Sequence, residues 1–323
     1  MYTIEKYARL YYDTWNQFIA KSKNGTFLFH RDFMEYHKDR FEDFSLVVFE
    51  AAKPVALLPA HIIHNTVYSH SGLTYGGLIY DKKLKLPGVI KVVRVILQFL
   101  AEHKITKLNL KLVPPIYHTY PAQEINYILF VVNALLLRRD ALSVIDLSLP
   151  VEIASNRMEG VKKAKKFNFE IVEEQDFRLF WDEVLSPKLL EKHNARPVHT
   201  LKEITQLKAA FPENIRLFTV KKDNQVEAGT VLFESENVIH AQYISATADK
   251  NRSGSLDFLF HYLITKTFSH KKYFDFGISN EQQGTKLNEG LLFWKESFGA
   301  RTIVQDFYEI DTSNYMLLDN VLI

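Results

Sequence analysis

The sequence predicts an α/β protein of two domains, and three observations carry that prediction. Helical and strand signals alternate along all 323 residues. Each half holds an amphipathic helix set between strands. The order of elements in the first half recurs in the second: helices, a strand hairpin, a strand with a glycine- or serine-rich exit, an amphipathic helix, a strand. On that basis 45–113 and 215–277 can be laid side by side. Two domains suit this length. Pro150 opens a polar joint at 150–156, so the expected domains are 1–150 and 151–323.

In chain order, residues 8–21 read as a helix from the spacing of Leu10, Trp15, Phe18 and Ile19, closed by the Asn24-Gly25 turn. Residues 33–41 read as a short helix with aromatic anchors. Residues 45–50 and 55–64 read as a hairpin around Lys53-Pro54, and 67–80 as a strand broken by Gly72, Gly76 and Gly77. Residues 87–101 carry a wide apolar stripe of Val89, Ile90, Val92, Val93, Ile96, Leu97 and Leu100. Residues 107–113, 127–137 and 143–149 read as strands. In the second half a short basic helix precedes a strand at 169–173. A helix follows at 177–192, with Asp176 as its N-cap, and another at 201–210. A hairpin at 215–221 and 226–234 turns through Asp223-Asn224. The strand 238–247, the helix 256–268 and the strands 273–277 and 303–310 complete the chain.

Composition narrows the function. The chain is 47% hydrophobic and 24% charged, as an ordinary globular protein is. A net charge of +2 demands neither nucleic acid nor an anionic membrane. The lack of cysteine excludes disulfides, thiolate metal sites and a cysteine nucleophile. The N-terminus carries charges and aromatics without an apolar signal core, and no apolar run approaches the ~18 residues of a membrane span. The expected location is therefore cytoplasmic. Of twelve histidines, His61 and His64 would point to opposite faces of one strand, so no metal is expected. No serine-hydrolase elbow is present.

The richest stretch is 273–301, YFDFGISNEQQGTKLNEGLLFWKESFGAR. A buried strand ends on Gly277. A loop follows with Ser279, Asn280, Gln282, Gln283, Thr285 and Asn288, and then Phe293, Lys295, Phe298 and Gly299. So many small polar groups beyond a buried strand mark either a ligand-facing loop or a solvated connection. A second feature is the basic run Arg157, Lys162, Lys163, Lys165 and Lys166, read either as phosphate contacts or as a solvated helix face.

The strand-loop-Phe-x-Lys-x-x-Phe-Gly pattern and the 157–166 run resemble those of FemAB-like proteins, tandem-GNAT proteins close to the BioF-like acetyltransferases. The resemblance covers nearly the whole chain. It implies two GNAT-like (acyl-CoA N-acyltransferase) domains, each a mixed, mostly antiparallel sheet flanked by helices, around an interdomain groove. It implies transfer of an acyl or aminoacyl group to an amine. The acceptor would be an amine-bearing small molecule or a cell-wall precursor, and the donor acyl-CoA or aminoacyl-tRNA. The second domain would hold the donor and the catalysis, and the first would be structural or acceptor-binding.

In such a domain the donor meets backbone N–H groups where two strands splay and where the next helix begins. Here those positions are Ser245 and Ala246, then Arg252, Gly254 and Ser255 in the segment 249–255. Asn251 and Leu256 depart from the usual phosphate-loop pattern, which leaves a non-catalytic double-GNAT binding module as the alternative. The resemblance implies that Tyr75, Gly76 and Gly77 line the groove, while Arg157, Lys162, Lys163, Ser279, Asn280 and Phe293 meet substrate. Lys295 either stabilises an oxyanion or pairs with Asp275 or a substrate carboxylate, against the reading of a surface lysine. Deprotonation of the acceptor amine needs a base, for which Asp275, Tyr243 and Glu289 are candidates.

Overall fold

The structure, a computed structural model, describes residues 2–248 and 250–323. The chain forms two compact units, Met1–Asp140 with Val304–Ile323, and Ala141–Ile303. The division falls ten residues before the joint read from Pro150, and the last strand returns to the first unit. Ile310 of that strand is buried and belongs to the first unit's core.

In the first unit, Tyr2–Lys6, Leu46–Glu50, Lys53–Leu58 and Ile79–Tyr80 form one antiparallel sheet in that order. A second sheet runs from Glu42–Asp43 through His61–Ile63, Thr66–Tyr68 and Lys107–Lys111 to residues 307–311 of the last strand. Within it Thr66–Tyr68 and Lys107–Lys111 are parallel, joined by a crossover that contains the helix Leu86–Glu102. The predicted stripe of that helix, Val89 to Leu100, is buried as one face.

Three readings of the first half need correction, one being the strand read at 67–80, which is Thr66–Tyr68 in one sheet and Ile79–Tyr80 in the other with no strand between. The strand expected at 127–137 is a helix, Glu124–Val131, followed by a strand that starts at Leu135. Its buried residues Ile125, Ile128 and Leu129 have helical spacing, which a run of β-favouring apolar residues conceals. The strand expected at 55–64 breaks after Leu58, and His61–Ile63 pairs in the other sheet. Pro59, lacking an N–H, cannot continue the ladder.

In the second unit, Glu170–Glu174, Ile215–Lys222, Gln225–Glu234 and Val238–Ala246 are successive antiparallel neighbours. The hairpin turn is the predicted one, with Asp223 and Asn224 both left-handed (φ 49° and 65°), as a two-residue type I′ turn requires. Tyr273–Ile278 then pairs parallel to the Val238 strand and antiparallel to residues 142–146. The crossover between them contains the helix Ser255–Tyr262, continued by a π-helical turn at Leu263–Thr267. Leu256, Leu259, Phe260, Leu263 and Ile264 pack on one face of this sheet, against Ile239, Ala241, Phe274 and Phe276. The helical segment Phe180–His193 covers the other face, where Trp181 meets Tyr243 edge-on at 5.0 Å. Both units thus contain a parallel strand–helix–strand crossover, the element the sequence repeat implied.

Candidate functional site

The Val238 and Tyr273 strands pair over three residues only: Val238 with Tyr273, Ile239 with Phe274, His240 with Asp275. Beyond that point the Val238 strand keeps only its Gln225–Glu234 neighbour, through a bulge at Gln242. Residues 243–246 therefore present a backbone edge to a wedge that opens between parallel strands. Beyond the wedge the chain reaches Gly254, left-handed at φ +70°, and the Ser255 helix starts. Asp249, where the predicted phosphate loop opens, lies outside the described residues. Arg252 is exposed, and Ser255 is fully buried with its hydroxyl unpartnered.

Side-chain alternation sorts the site. Ile239, Ala241, Ile244 and Ala246 face the Ser255 helix. His240, Tyr243, Ser245 and Asp275 take the opposite face. Ser245 Oγ donates to the Val184 carbonyl at 3.1 Å. The Tyr243 hydroxyl accepts from the His199 backbone N–H at 3.1 Å and shares a 2.6 Å hydrogen bond with His199 Nδ1. Asp275, 1% exposed, accepts from the Gly277 N–H at 2.7 Å through Oδ1 and faces His240 Nδ1 at 3.0 Å through Oδ2.

Lys295 comes from the helix Glu289–Glu296, whose first turn is capped by Asn288 accepting from the Leu291 N–H at 3.0 Å. The lysine is 2% exposed and donates to the Gly277 and Ile278 carbonyls at 3.0 and 2.6 Å. Burial pushes its pKa down from 10.5 to about 8, against the attraction of Asp275. Two of the three ammonium protons are engaged, so one remains for another acceptor. Lys295 and Asp275 are thus brought together at the end of one strand, with Tyr243 on the neighbouring strand.

The 279–288 loop is a small ribbon, Asn280–Glu281 paired with Lys286–Leu287. Asn280 is used structurally, accepting from Ala141 N–H at 2.7 Å and donating to the Gly284 carbonyl at 3.1 Å. Ser279 is buried with its hydroxyl unpartnered, and Phe293 is 59% exposed.

Arg157, Lys162 and Lys163 lie on the helix Ser155–Ala164, which packs on the Ser255 helix. Arg157 pairs with Asp257 at 2.8 Å, and burial raises the Asp257 pKa against that pairing. A cleft of about 230 Å³ there is lined by Arg157, Gly160, Lys163, Asp257 and Trp294. Lys162 is exposed.

In the first unit Tyr75 is buried, its hydroxyl donating to Thr26 Oγ1 at 3.0 Å. Gly76 and Gly77, the latter at φ +93°, line a cleft of about 190 Å³ with Pro114, His118 and Gln305. Among the described residues no group of three or more His, Asp or Glu is arranged to hold a metal.

The residues that sequence reasoning missed are His240 and His199. His240 sits one strand position opposite Asp275, a pairing that local sequence does not show because it depends on the register of a parallel crossover.

Residues 154–285 match the acetyltransferase (GNAT) domain model. These residues thus form a GNAT domain, and the chain as a whole has a tandem-GNAT fold of the FemAB-like kind. The FemX crystal structure superposes with a TM-score of 0.68 at 8% identity, covering 98% of this chain and 99% of that one. L-PGS from Bacillus licheniformis gives 0.55 at 10% identity, with 97% and 96% covered. A tandem GNAT protein from the clavulanic acid biosynthesis pathway gives 0.54 at 10% identity, with 97% and 99% covered. A sequence search of curated proteins finds no match. The wedge, the bulged strand and the helix start fall inside the matched GNAT segment. No helix among the described residues is long and apolar enough to cross a membrane.

Proposed function

We propose that this chain is an N-acyltransferase that moves an acyl or aminoacyl group from acyl-CoA or aminoacyl-tRNA to an amine. The carrying observation is the wedge: two parallel strands that part after His240 and Asp275, with a helix N-terminus beyond it. Such a wedge offers unpaired backbone groups to a thioester or ester, and the helix start offers N–H groups and a positive dipole end to phosphate. In this reading Ser245 and Ala246 line the donor, and Arg252, Gly254 and Ser255 take its phosphates. The remaining Lys295 proton stabilises the oxyanion. Asp275 and Tyr243 belong to the proton-transfer face. Arg157, Lys162, Lys163, Ser279, Asn280 and Phe293 are assigned to substrate. Tyr75, Gly76 and Gly77 are assigned to the acceptor, an amine-bearing small molecule or cell-wall precursor met in the cytoplasm.

One observation favours a non-catalytic binding module instead. A Cβ on Gly254 would stand 2.1 Å from the Gly160 carbonyl oxygen, so helix packing alone accounts for that glycine. Thermal unfolding against acetyl-CoA, with free CoA and adenosine diphosphate as controls, separates the readings. A donor at 100 times its dissociation constant adds roughly 2.7 kcal/mol. A saturable shift with acetyl-CoA supports the acyl-CoA enzyme. If the midpoint stays fixed, aminoacyl-tRNA is tested by binding across a salt series, where several phosphate contacts give a steep slope. Failure of both donors leaves the binding module.

A further inference from the structure

His240 is the last residue of the Val238 strand to pair with the Tyr273 strand, so it stands at the apex of the wedge. Asp275 is its register partner, and the Asp275 carboxylate is fixed at both oxygens: Oδ1 by the Gly277 N–H at 2.7 Å, Oδ2 by His240 Nδ1 at 3.0 Å. An ionised carboxylate only accepts hydrogen bonds. With the Asp275 carboxylate ionised, Nδ1 is the donor in this contact and Nε2 keeps its lone pair. The side chain retains 11% of its surface open. The residue of the Tyr273 strand that lies against the ring edge is Gly277. A Cβ on Gly277 would come within 3.2 Å of His240 Cε1, and the residue is left-handed at φ +70°. The Lys295 ammonium is anchored to the Gly277 and Ile278 carbonyls next to this pair. A base oriented by a carboxylate and a buried cation thus converge where a carbonyl entering the wedge would end.

We infer that His240 is the general base of acyl transfer and Asp275 its positioning residue; this rests on the N-acyltransferase reading. The acceptor nitrogen forms a bond to the acyl carbon and gives one proton to His240 Nε2. When the tetrahedral intermediate collapses, the C–S bond of an acyl-CoA or the C–O bond of an aminoacyl ester breaks. The proton then passes from Nε2 to the leaving sulfur or oxygen. The products are an amide and a free thiol or hydroxyl, and His240 is neutral again.

The test uses the full chain, with acetyl-CoA and charged tRNA as donors and a panel of primary amines. The variants are His240→Gln, His240→Ala and Asp275→Asn. His240→Gln lowers kcat at least about 100-fold, while the donor-induced thermal shift stays that of wild type. Added imidazole restores part of the His240→Ala rate. Long-range 15N spectra of wild type show His240 with its proton on Nδ1, and Asp275→Asn mixes the two tautomers and lowers kcat. A kcat for His240→Gln within about threefold of wild type, or a wild-type proton on Nε2, overturns the assignment alone. Wild-type protein that transfers from neither donor to any amine overturns the acyltransferase reading, and His240 as base with it.

Discussion

Replacing Lys295 by Met isolates the energetics of the buried amine. The fold pushes this ammonium from 10.5 down to about 8, chiefly by burial. At 2% exposure little solvent screening discounts that shift. A difference of about 2.5 units at 1.36 kcal/mol each amounts to about 3 kcal/mol. Between pH 8 and 10.5 the unfolded chain holds this proton and the folded chain does not, so the Lys295 contribution to stability increases with pH through that window. It is fully present above 10.5 and lost as pH falls through 8. Met fills most of the apolar volume and does not titrate. Loss of the two carbonyl hydrogen bonds adds an offset that does not vary with pH. The stability of wild type relative to Lys295→Met should therefore rise by between about 2 and 3 kcal/mol from pH 7 to pH 10. Urea denaturation at the two pH values reads this, followed by tryptophan fluorescence in a Trp15→Phe background. The remaining Trp181 and Trp294 then report on the second unit. A difference between the two proteins that does not change with pH would refute the placement of this amine in a dry site.

Gly277→Ala should destabilise by roughly 1–2 kcal/mol from its left-handed backbone, with a further cost from the 3.2 Å contact with His240, read by the urea midpoint. Gly254→Ala should cost more, at least about 2 kcal/mol, because its Cβ meets a backbone carbonyl at 2.1 Å. Gly290→Ala, with its nearest neighbour at 3.9 Å, should instead stabilise by about 0.5–1 kcal/mol. Thr200→Ala removes a complete capping box with Glu203 and should cost about 1 kcal/mol in the same measurement.

Where local chemistry dictates structure, the sequence was informative. The helix Leu201–Ala210 begins on its Thr200 cap, and the Asp223-Asn224 hairpin closes on two residues that tolerate positive φ. The Leu86–Glu102 stripe is buried as its spacing implied. Where tertiary context decides, the sequence was silent or misleading. The segment EINYILFV is apolar enough for a strand, and only its packing selects the helix. Lys295 and Asp275 were legible as chemistry beside a strand end. That the amine grips the Gly277 and Ile278 carbonyls was not, since it depends on the left-handed turn at Gly277. The His240–Asp275 contact spans 35 residues and exists only through strand register.

The two crossovers share a plan but differ at the helix start. In the first unit the Leu86 helix follows a turn at Asp81, and its first-turn bonds resemble the one that Phe258 N–H makes to the Gly254 carbonyl at 3.0 Å in the second unit. Asp81 accepts from the Lys83 N–H at 2.7 Å, and the Lys85 carbonyl from the Gly88 and Val89 N–H groups at 2.9 and 3.0 Å. Lys23 donates to the Leu84 carbonyl at 2.9 Å and pairs with Glu124, which also accepts from the Tyr80 hydroxyl at 3.2 Å. A carboxylate thus lies beside the chain that leads into this helix, and like charges in a partly buried site repel strongly. In the second unit the corresponding helix start has a left-handed glycine and a buried serine hydroxyl with no partner. A polar atom left unpaired in a dry site costs about 1–3 kcal/mol, a cost that a bound oxygen-rich group removes. That asymmetry supports our proposal that the second unit takes the donor and the first the acceptor.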